Sequence, residues 1–372
     1  TALLGDGHTA PALIQPLFKN EYRNETFFPC QVVVTPGSVY LPEQARQWGI
    51  VPGSQLLAIN GRSAASLLAT FTSLTGGTPQ YRSEMAGRLF PHFLFLLGEK
   101  APFTVSYFTP DGTPGSVTIN EGVRYRASLA ANMPHMDKKY DFRVIDNKLG
   151  YLNFMSMSGK WEDFGKFADS CFTALAQQKI PAIAIDLRQN SGGDSMLADV
   201  LLSHLTKKKY NLMGKRYWKV SREYKDYLRQ NGETGSEYFN QPDGTIWQRG
   251  DCTPRENDFV SDKLFTGKIF FITGPFTYSS ANMLADAVKQ YKLGTIVEEV
   301  TGENVNDFGE VYPFTLPKSG IRMNMSTSYD IGTACNEKTN APVLPDIPIY
   351  PSVNDKVAGR DLALEYILRH IP

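Results

Sequence analysis

The chain has 372 residues, of which 42% are hydrophobic and 20% charged, a balance that excludes intrinsic disorder and fibrous classes and leaves room for two or three domains. Lysine plus arginine equals aspartate plus glutamate at 38 each, so no global field draws in nucleic acid or an anionic membrane. No stretch reaches the roughly 18–20 uninterrupted apolar residues of a membrane span. The four cysteines show no CxxC spacing, which excludes a zinc knot or a thioredoxin-type site.

Residues 1–30 form an N-terminal segment that opens at Thr1 without methionine or a signal-like apolar region, a start that does not bear on location. It carries GDGHTA, a glycine-flanked polar turn with Asp6 two residues before His8. Of the five histidines, His8 alone has an informative neighbourhood. Three consecutive valines within 31–35, a Pro36-Gly37-Ser38 break and a resumption over 39–41 read as a strand pair. WGIVPGSQLLAINGRSAASLL then gives a strand over 56–59, a tight Asn60-Gly61 turn and a helix from about Ala64. Residues 102–120 read as a hairpin turning at Pro110-Asp111-Gly112, and the polar stretch 124–141, with Asn132, Pro134 and His135, reads as a linker.

From Gly150 strands and helices alternate, which predicts α/β architecture. Strands are expected over 151–155, 182–187, 268–273 and 295–297, and helices over 161–178, 196–205 and 280–292. In the first helix Phe164, Phe167, Ala168, Cys171, Phe172 and Leu175 build one apolar stripe. Cys171 is thereby a small buried hydrophobe, while Cys30, Cys252 and Cys335 stay open to pairing. Residues 206–265, rich in Tyr, Trp, Gly and charge, interrupt the alternation as a surface insert that borders a cleft.

Two strand-to-helix turns carry the chemistry, because ligands of α/β sheets gather at the carboxyl ends of strands. In AIAIDLRQNSGGDSMLADVL, Gly192 and Gly193 let the backbone turn sharply and aim amides outward at a helix start, where they can stabilise an oxyanion or simply link strand to helix. In FFITGPFTYSSANMLADAV, Ser279 and Ser280 start a helix, where a serine is either a presented nucleophile or an ordinary N-cap.

The order GDGHTA, LGYLNFMSMSG, AIAIDLRQNSGG, TYSSANMLADAVK and LPDIPIYPSVNDKVAGRDLALEYIL resembles the tail-specific (carboxyl-terminal processing) serine peptidases over nearly the whole chain. Residues 31–125 are similar to a PDZ-like β-rich domain, without a GLGF-type loop, and 141–372 to the peptidase core with its insert at about 206–265. The resemblance implies an α/β fold with a crotonase/ClpP-like β-β-α core. Some members pair the serine with a lysine about 25 residues on, but that position is Asn304. GDGHT looks instead like the tricorn-core-like branch that uses a histidine.

The implied roles are Ser279 as nucleophile, His8 as general base, Glu337 as a supporting carboxylate, and Gly193, Gly192 and Ser280 as oxyanion-hole amides. No metal or cofactor is implied. The expected activity is a serine endopeptidase acting on unstructured or carboxyl-terminal peptide segments, exported to the periplasm or cell envelope of a bacterium. A non-catalytic binding protein on the same scaffold, for a hydrophobic ligand or peptide, is the alternative. An acyl-CoA enzyme would share the oxyanion hole but not the PDZ-like segment.

Overall fold

A computed structural model describes residues 5–11, 24–124 and 138–372. Most of the expected linker, including Asn132, Pro134 and His135, lies outside these residues, as do 1–4 and 12–23 of the N-terminal segment. Two compact units are present: Thr1–Asp137 with Tyr350–Leu362, and Lys138–Ile349 with Ala363–Pro372.

In the first unit an antiparallel sheet runs in sequence order through β1 (Val33–Thr35), β2 (Ser38–Tyr40), β3 (Gln55–Ile59), β4 (Phe103–Phe108) and β5 (Pro114–Ile119). The β4–β5 hairpin pairs Phe103 with Ile119 and Phe108 with Pro114. Helix α1 (Ala64–Ser73) starts where Ser63 Oγ accepts the Ser66 N–H at 3.2 Å, an N-cap that satisfies one orphan donor. Helices α2 (Pro79–Arg88) and α3 (Phe90–Leu96) follow. The sequence reading assigns neither, and α2 explains why. Its buried residues are only Ala86 and Gly87, so no apolar stripe announces it. A Cβ on Gly87 would lie 2.9 Å from Val34 Cγ2, so the helix backbone packs directly on β1. The core is aromatic, with edge-to-face pairs Phe71–Phe90 and Phe28–Phe103, both at 5.3 Å between centroids.

The second unit is built on a six-stranded sheet in the order β6 (Tyr140–Ile145), β7 (Leu149–Phe154), β8 (Ala182–Asp186), β11 (Lys268–Thr273), β12 (Thr295–Glu298), β15 (Ile347–Pro348). The first pair is antiparallel and the rest are parallel. Tyr140 and Asp141, read from sequence as the end of the linker, begin β6. The apolar run 182–185 of β8 follows from burial on both faces, as parallel strands require. Ile183 and Ile185 face a core shared with Phe164, Leu201 and Leu284, while Ala182 and Ala184 face one shared with Ile367. Helices α4 (Trp161–Gln177), α5 (Met196–Ser203) and α7 (Ser280–Tyr291) supply the first face, and the last helix, α8 (Leu362–His370), supplies Ile367 to the other.

The insert is structured. Strands β9 (Lys215–Lys219) and β10 (Ile246–Arg249) and helix α6 (Arg222–Gln230) join the hairpin β13 (Asp307–Thr315) and β14 (Arg322–Ile331), with pairing in the order β13-β14-β9-β10. Trp218, Tyr224, Leu228 and Tyr238 form its own small core. Cys252 and Cys335, 83 residues apart, form a disulfide that fastens the insert to the loop after β14, and Gly214 packs on it so closely that a Cβ there would stand 2.3 Å from Cys335 Sγ. Cys30 and Cys171 are free and buried, and burial pushes both thiols up to about 12. Among the described residues no helix is long and apolar enough to cross a membrane.

Closing an 83-residue loop restricts the unfolded chain strongly. Cys252→Ser is expected to lower unfolding stability by about 2–4 kcal/mol. Denaturation followed by the fluorescence of Trp218 and Trp247 checks this, and reductant should bring the wild type down to the variant.

Candidate active site

Adjacent parallel strands β8 and β11 bring both strand-to-helix turns to the same edge of the sheet, with Asp186 paired to Ile272 at the last register position. The turns are then bonded to each other. Thr277 Oγ1 donates to Leu187 O at 2.8 Å, Tyr278 N donates to Asn190 O at 3.0 Å, and Ser280 Oγ donates to Gly193 O at 2.6 Å. Asn190 is fully buried. Its Nδ2 donates to Phe154 O at 2.8 Å and its Oδ1 accepts the Gly192 N–H at 2.9 Å. Met157 clamps the glycine pair from the third side, its N–H donating to Gly192 O at 3.0 Å and its carbonyl accepting from Asp194 N at 2.7 Å.

The glycines are required by contact and by conformation. Gly192 has φ +91° and Gly193 φ +134°. A Cβ on Gly192 would stand 2.7 Å from Ser279 Cβ and 2.8 Å from Ser280 N, and one on Gly193 2.4 Å from Met157 O. This closeness of two backbones is what the Gly-Gly pair provides.

Ser279 sits at φ +52°, ψ −128°, a region costing a non-glycine residue about 1–3 kcal/mol and found where the surroundings enforce it. It occupies the N-cap position of α7, yet its side chain makes no capping bond. Of the two serines, Ser280 has its hydroxyl committed to Gly193 O, while the Ser279 hydroxyl is half-buried at the turn and bonds no described residue. Its own N–H donates to Glu303 Oε2 at 2.5 Å. The N–H groups of Gly193 and Ser280 donate to no described residue, whereas that of Gly192 is taken by Asn190.

A cleft of about 910 Å³ opens beside Gly193, Ser280 and Met283 and extends between α5 and the insert. Its wall is charged, with Asp194, Asp199, Glu233, Asp258 and Glu310 against Arg216, Arg249 and Arg255. Arg216 is held by Asp330 at 2.6 and 2.7 Å and by Glu310. Burial pushes the Asp199 carboxyl up to about 6; the Tyr210 hydroxyl, donating at 2.7 Å, opposes this and the negative charges of Asp258 and Asp194 add to it. Behind the turns, Arg188 bridges Asp186 (2.6 Å) and Glu298 (3.2 Å), and Tyr151 donates to the same Asp186. Among the described residues no group of three His, Cys, Asp or Glu side chains is arranged to hold a metal.

Among the sequence-predicted residues, Ser279, Ser280, Gly192 and Gly193 are thus brought together. His8 lies in the first unit, in a loop folded around Asp6, whose Oδ1 accepts the N–H groups of His8 (2.8 Å) and Thr9 (3.2 Å). Asp6 is buried, and His8 Nδ1 stands 4.0 Å from the same oxygen. Glu337 accepts from Lys215 at 2.9 Å and from Tyr217 at 2.8 Å at an exposed position beside β9, and Lys215 holds its carboxyl below the usual range. Asn190, Arg188 and Glu303 were not singled out from sequence. Asp186 ending an otherwise apolar strand was the available signal for the ion-pair cluster; Glu303 had none, since its partner is 24 residues away.

The family model for Peptidase family S41 matches residues 148–349. None of the curated proteins compared matches the chain. Among solved structures, mature CPAF is similar over 98% of this chain and 83% of its own, at 19% identity and a TM-score of 0.62. Mature CPAF complexed with lactacystin is similar over 98% and 85%, at 18% identity and 0.61. At such identities the likeness is one of fold.

Two outcomes follow from the geometry. Gly192→Ala adds a strained φ and a backbone clash and is expected to cost about 2–4 kcal/mol, read by thermal or chemical denaturation. For Asp199, the folded state holds the proton more tightly than the unfolded chain, so its contribution to stability falls as pH rises from about 4 to about 6. Asp199→Asn should therefore melt above the wild type at pH 7.5, with the gap closing toward pH 4.

Proposed function

The chain is a serine-type peptidase that belongs to peptidase family S41, and from that premise we propose that Ser279 is its nucleophile, His8 the general base, and the amides of Gly193 and Ser280 its oxyanion hole. The observation that carries the reading is the Ser279 turn. A serine at φ +52° on a helix N-terminus, with a hydroxyl excused from capping, is how a nucleophile is presented above an α/β sheet. Two unused N–H groups flank it, and the Gly192 amide, committed to Asn190, is left out of the hole.

In this mechanism Ser279 Oγ attacks a peptide carbonyl carbon while its proton passes to the His8 imidazole, and the carbonyl oxygen, now anionic, is met by Gly193 and Ser280 N–H. Collapse breaks the C–N bond, and the imidazolium protonates the departing amine. Water, deprotonated by His8, then hydrolyses the acyl ester and restores Ser279. Asp6, whose Oδ1 accepts the His8 N–H at 2.8 Å and stands 4.0 Å from His8 Nδ1, holds the loop that carries the base. Glu337 is the supporting carboxylate of the resemblance, kept charged by Lys215. The substrates are unstructured or carboxyl-terminal segments of proteins, which reach Ser279 along the cleft. Residues 31–125 act as a PDZ-like domain, and the peptidase core comprises 141–372 with its insert. The disulfide favours an oxidising compartment, in keeping with export.

The test is cleavage of unfolded casein and of peptides with apolar tails, read by mass spectrometry, for wild type, Ser279→Ala and His8→Ala. Both variants should lose roughly 10³-fold or more in rate while staying folded. Retained cleavage in either variant would remove that residue from the mechanism.

A further inference from the structure

We propose that Glu303 is a positioning residue for the nucleophile: its carboxylate takes the backbone N–H of Ser279 and so holds the strained turn in which the hydroxyl is left free. The assignment rests on Ser279 as nucleophile, and its starting point is a missing local device. In a capping box the residue three positions into a helix reaches back with a carboxylate to the N-cap N–H, while the N-cap hydroxyl bonds forward into the first turn. Here the N-cap is Ser279 and the third position is Asn282. Neither half of the box is formed. The Ser279 side chain makes no cap bond, and Asn282 turns its Nδ2 away to Asn304 O at 2.9 Å.

The acid comes instead from a distant segment. Glu303 is 4% exposed and its Oε2 lies 2.5 Å from Ser279 N. Its place is set from several directions. Gly302 N donates to Thr277 O at 3.0 Å, in the serine turn itself. Thr301 Oγ1 donates to Glu303 O at 3.2 Å and accepts from Val343 N at 3.0 Å, and Val305 N donates to Ala341 O at 2.9 Å. Asn282 closes the circuit, because the Asn304 carbonyl it binds is one residue from Glu303. A carboxylate at a helix N-terminus is also favoured by the helix dipole. The arrangement separates two tasks that a local cap would merge: an anchor for the N–H, and a hydroxyl kept for chemistry. It also commits the Ser279 N–H to a carboxylate, which leaves the oxyanion to the N–H groups of Ser280 and Gly193.

The test compares wild type, Glu303→Ala and Glu303→Gln for kcat and KM on a cleaved peptide, for the pH profile of kcat/KM, and for the rate of phosphonylation by a fluorophosphonate. Glutamine keeps an acceptor oxygen and loses the charge. Glu303→Ala is expected to lose about 100-fold in kcat and in phosphonylation rate with KM within about threefold, since the bond removed holds the nucleophile's turn and touches no substrate. Glu303→Gln should stay within about fivefold of wild type on both, with an unshifted pH profile. Should Glu303→Ala fail to fold, Glu303→Gln decides alone. The assignment is overturned if Glu303→Ala keeps kcat within tenfold, or if Glu303→Gln loses more than tenfold or shifts the pH profile, because charge rather than the hydrogen bond would then be at work. A wild type that neither cleaves nor is phosphonylated would sink the nucleophile itself, an outcome separable from these.

Discussion

The close approach of two backbone turns organises the catalytic unit. Gly192 lies so near the Ser279–Ser280 turn that a Cβ would stand 2.7 Å from Ser279 Cβ, and no residue but glycine fits there with φ +91°. Parallel pairing of β8 and β11 makes the approach possible, since it delivers both turns to one sheet edge. Everything at the site then depends on it: the bond from Ser280 Oγ to Gly193 O, the commitment of the Gly192 amide to Asn190, and the outward release of the Gly193 and Ser280 amides. Strain at Ser279 is sustained because bonds from both turns and from Glu303 over-determine it.

The α/β core was legible because its signals are local. The period of the α4 stripe, the two-sided apolar run of β8 and the Ser-Ser and Gly-Gly turns all follow from residues within about twenty positions of one another. Strand 268–273 fell on its observed bounds. What escaped is non-local or chemically muted. Helix α2 buries only Ala86 and Gly87, and the β13–β14 hairpin gains its meaning by pairing with the insert. The site followed the same rule. Ser279, Ser280 and the glycines stood out in their own segments. Glu303 acts through a bond to backbone 24 residues away, and Asn190 joins its local bond to Gly192 N–H with one to Phe154 O, 36 residues back, which its own segment does not reveal. Of the two readings of the serines left open by sequence, the N-cap holds by position and not by bonding, since the Ser279 side chain makes no cap bond.

The insert changed most between expectation and structure. Read as a surface excursion, it supplies two strands, a helix and a stacked aromatic core, and its residues line the cleft from Tyr210 to Asp258. The disulfide ties it to the loop after β14, and that loop runs on through Asn336 and Thr339, whose carbonyls accept from Asn306 at 2.7 and 3.0 Å. Thr333 is held on Asp286 of α7 by two bonds of 2.7 Å. The cleft wall and the segment bearing Glu303 thus share one scaffold, so the cleft and the Ser279 turn are set by the same set of contacts.

The central claim is that these turns present one serine hydroxyl for acyl chemistry and withhold its neighbour. Exposure of the full chain to a fluorophosphonate, followed by tandem mass spectrometry of its peptides, tests this most directly. A single adduct on Ser279 is the predicted result. An adduct on Ser280, or a chain that cleaves casein while Ser279 stays unmodified, would contradict the account.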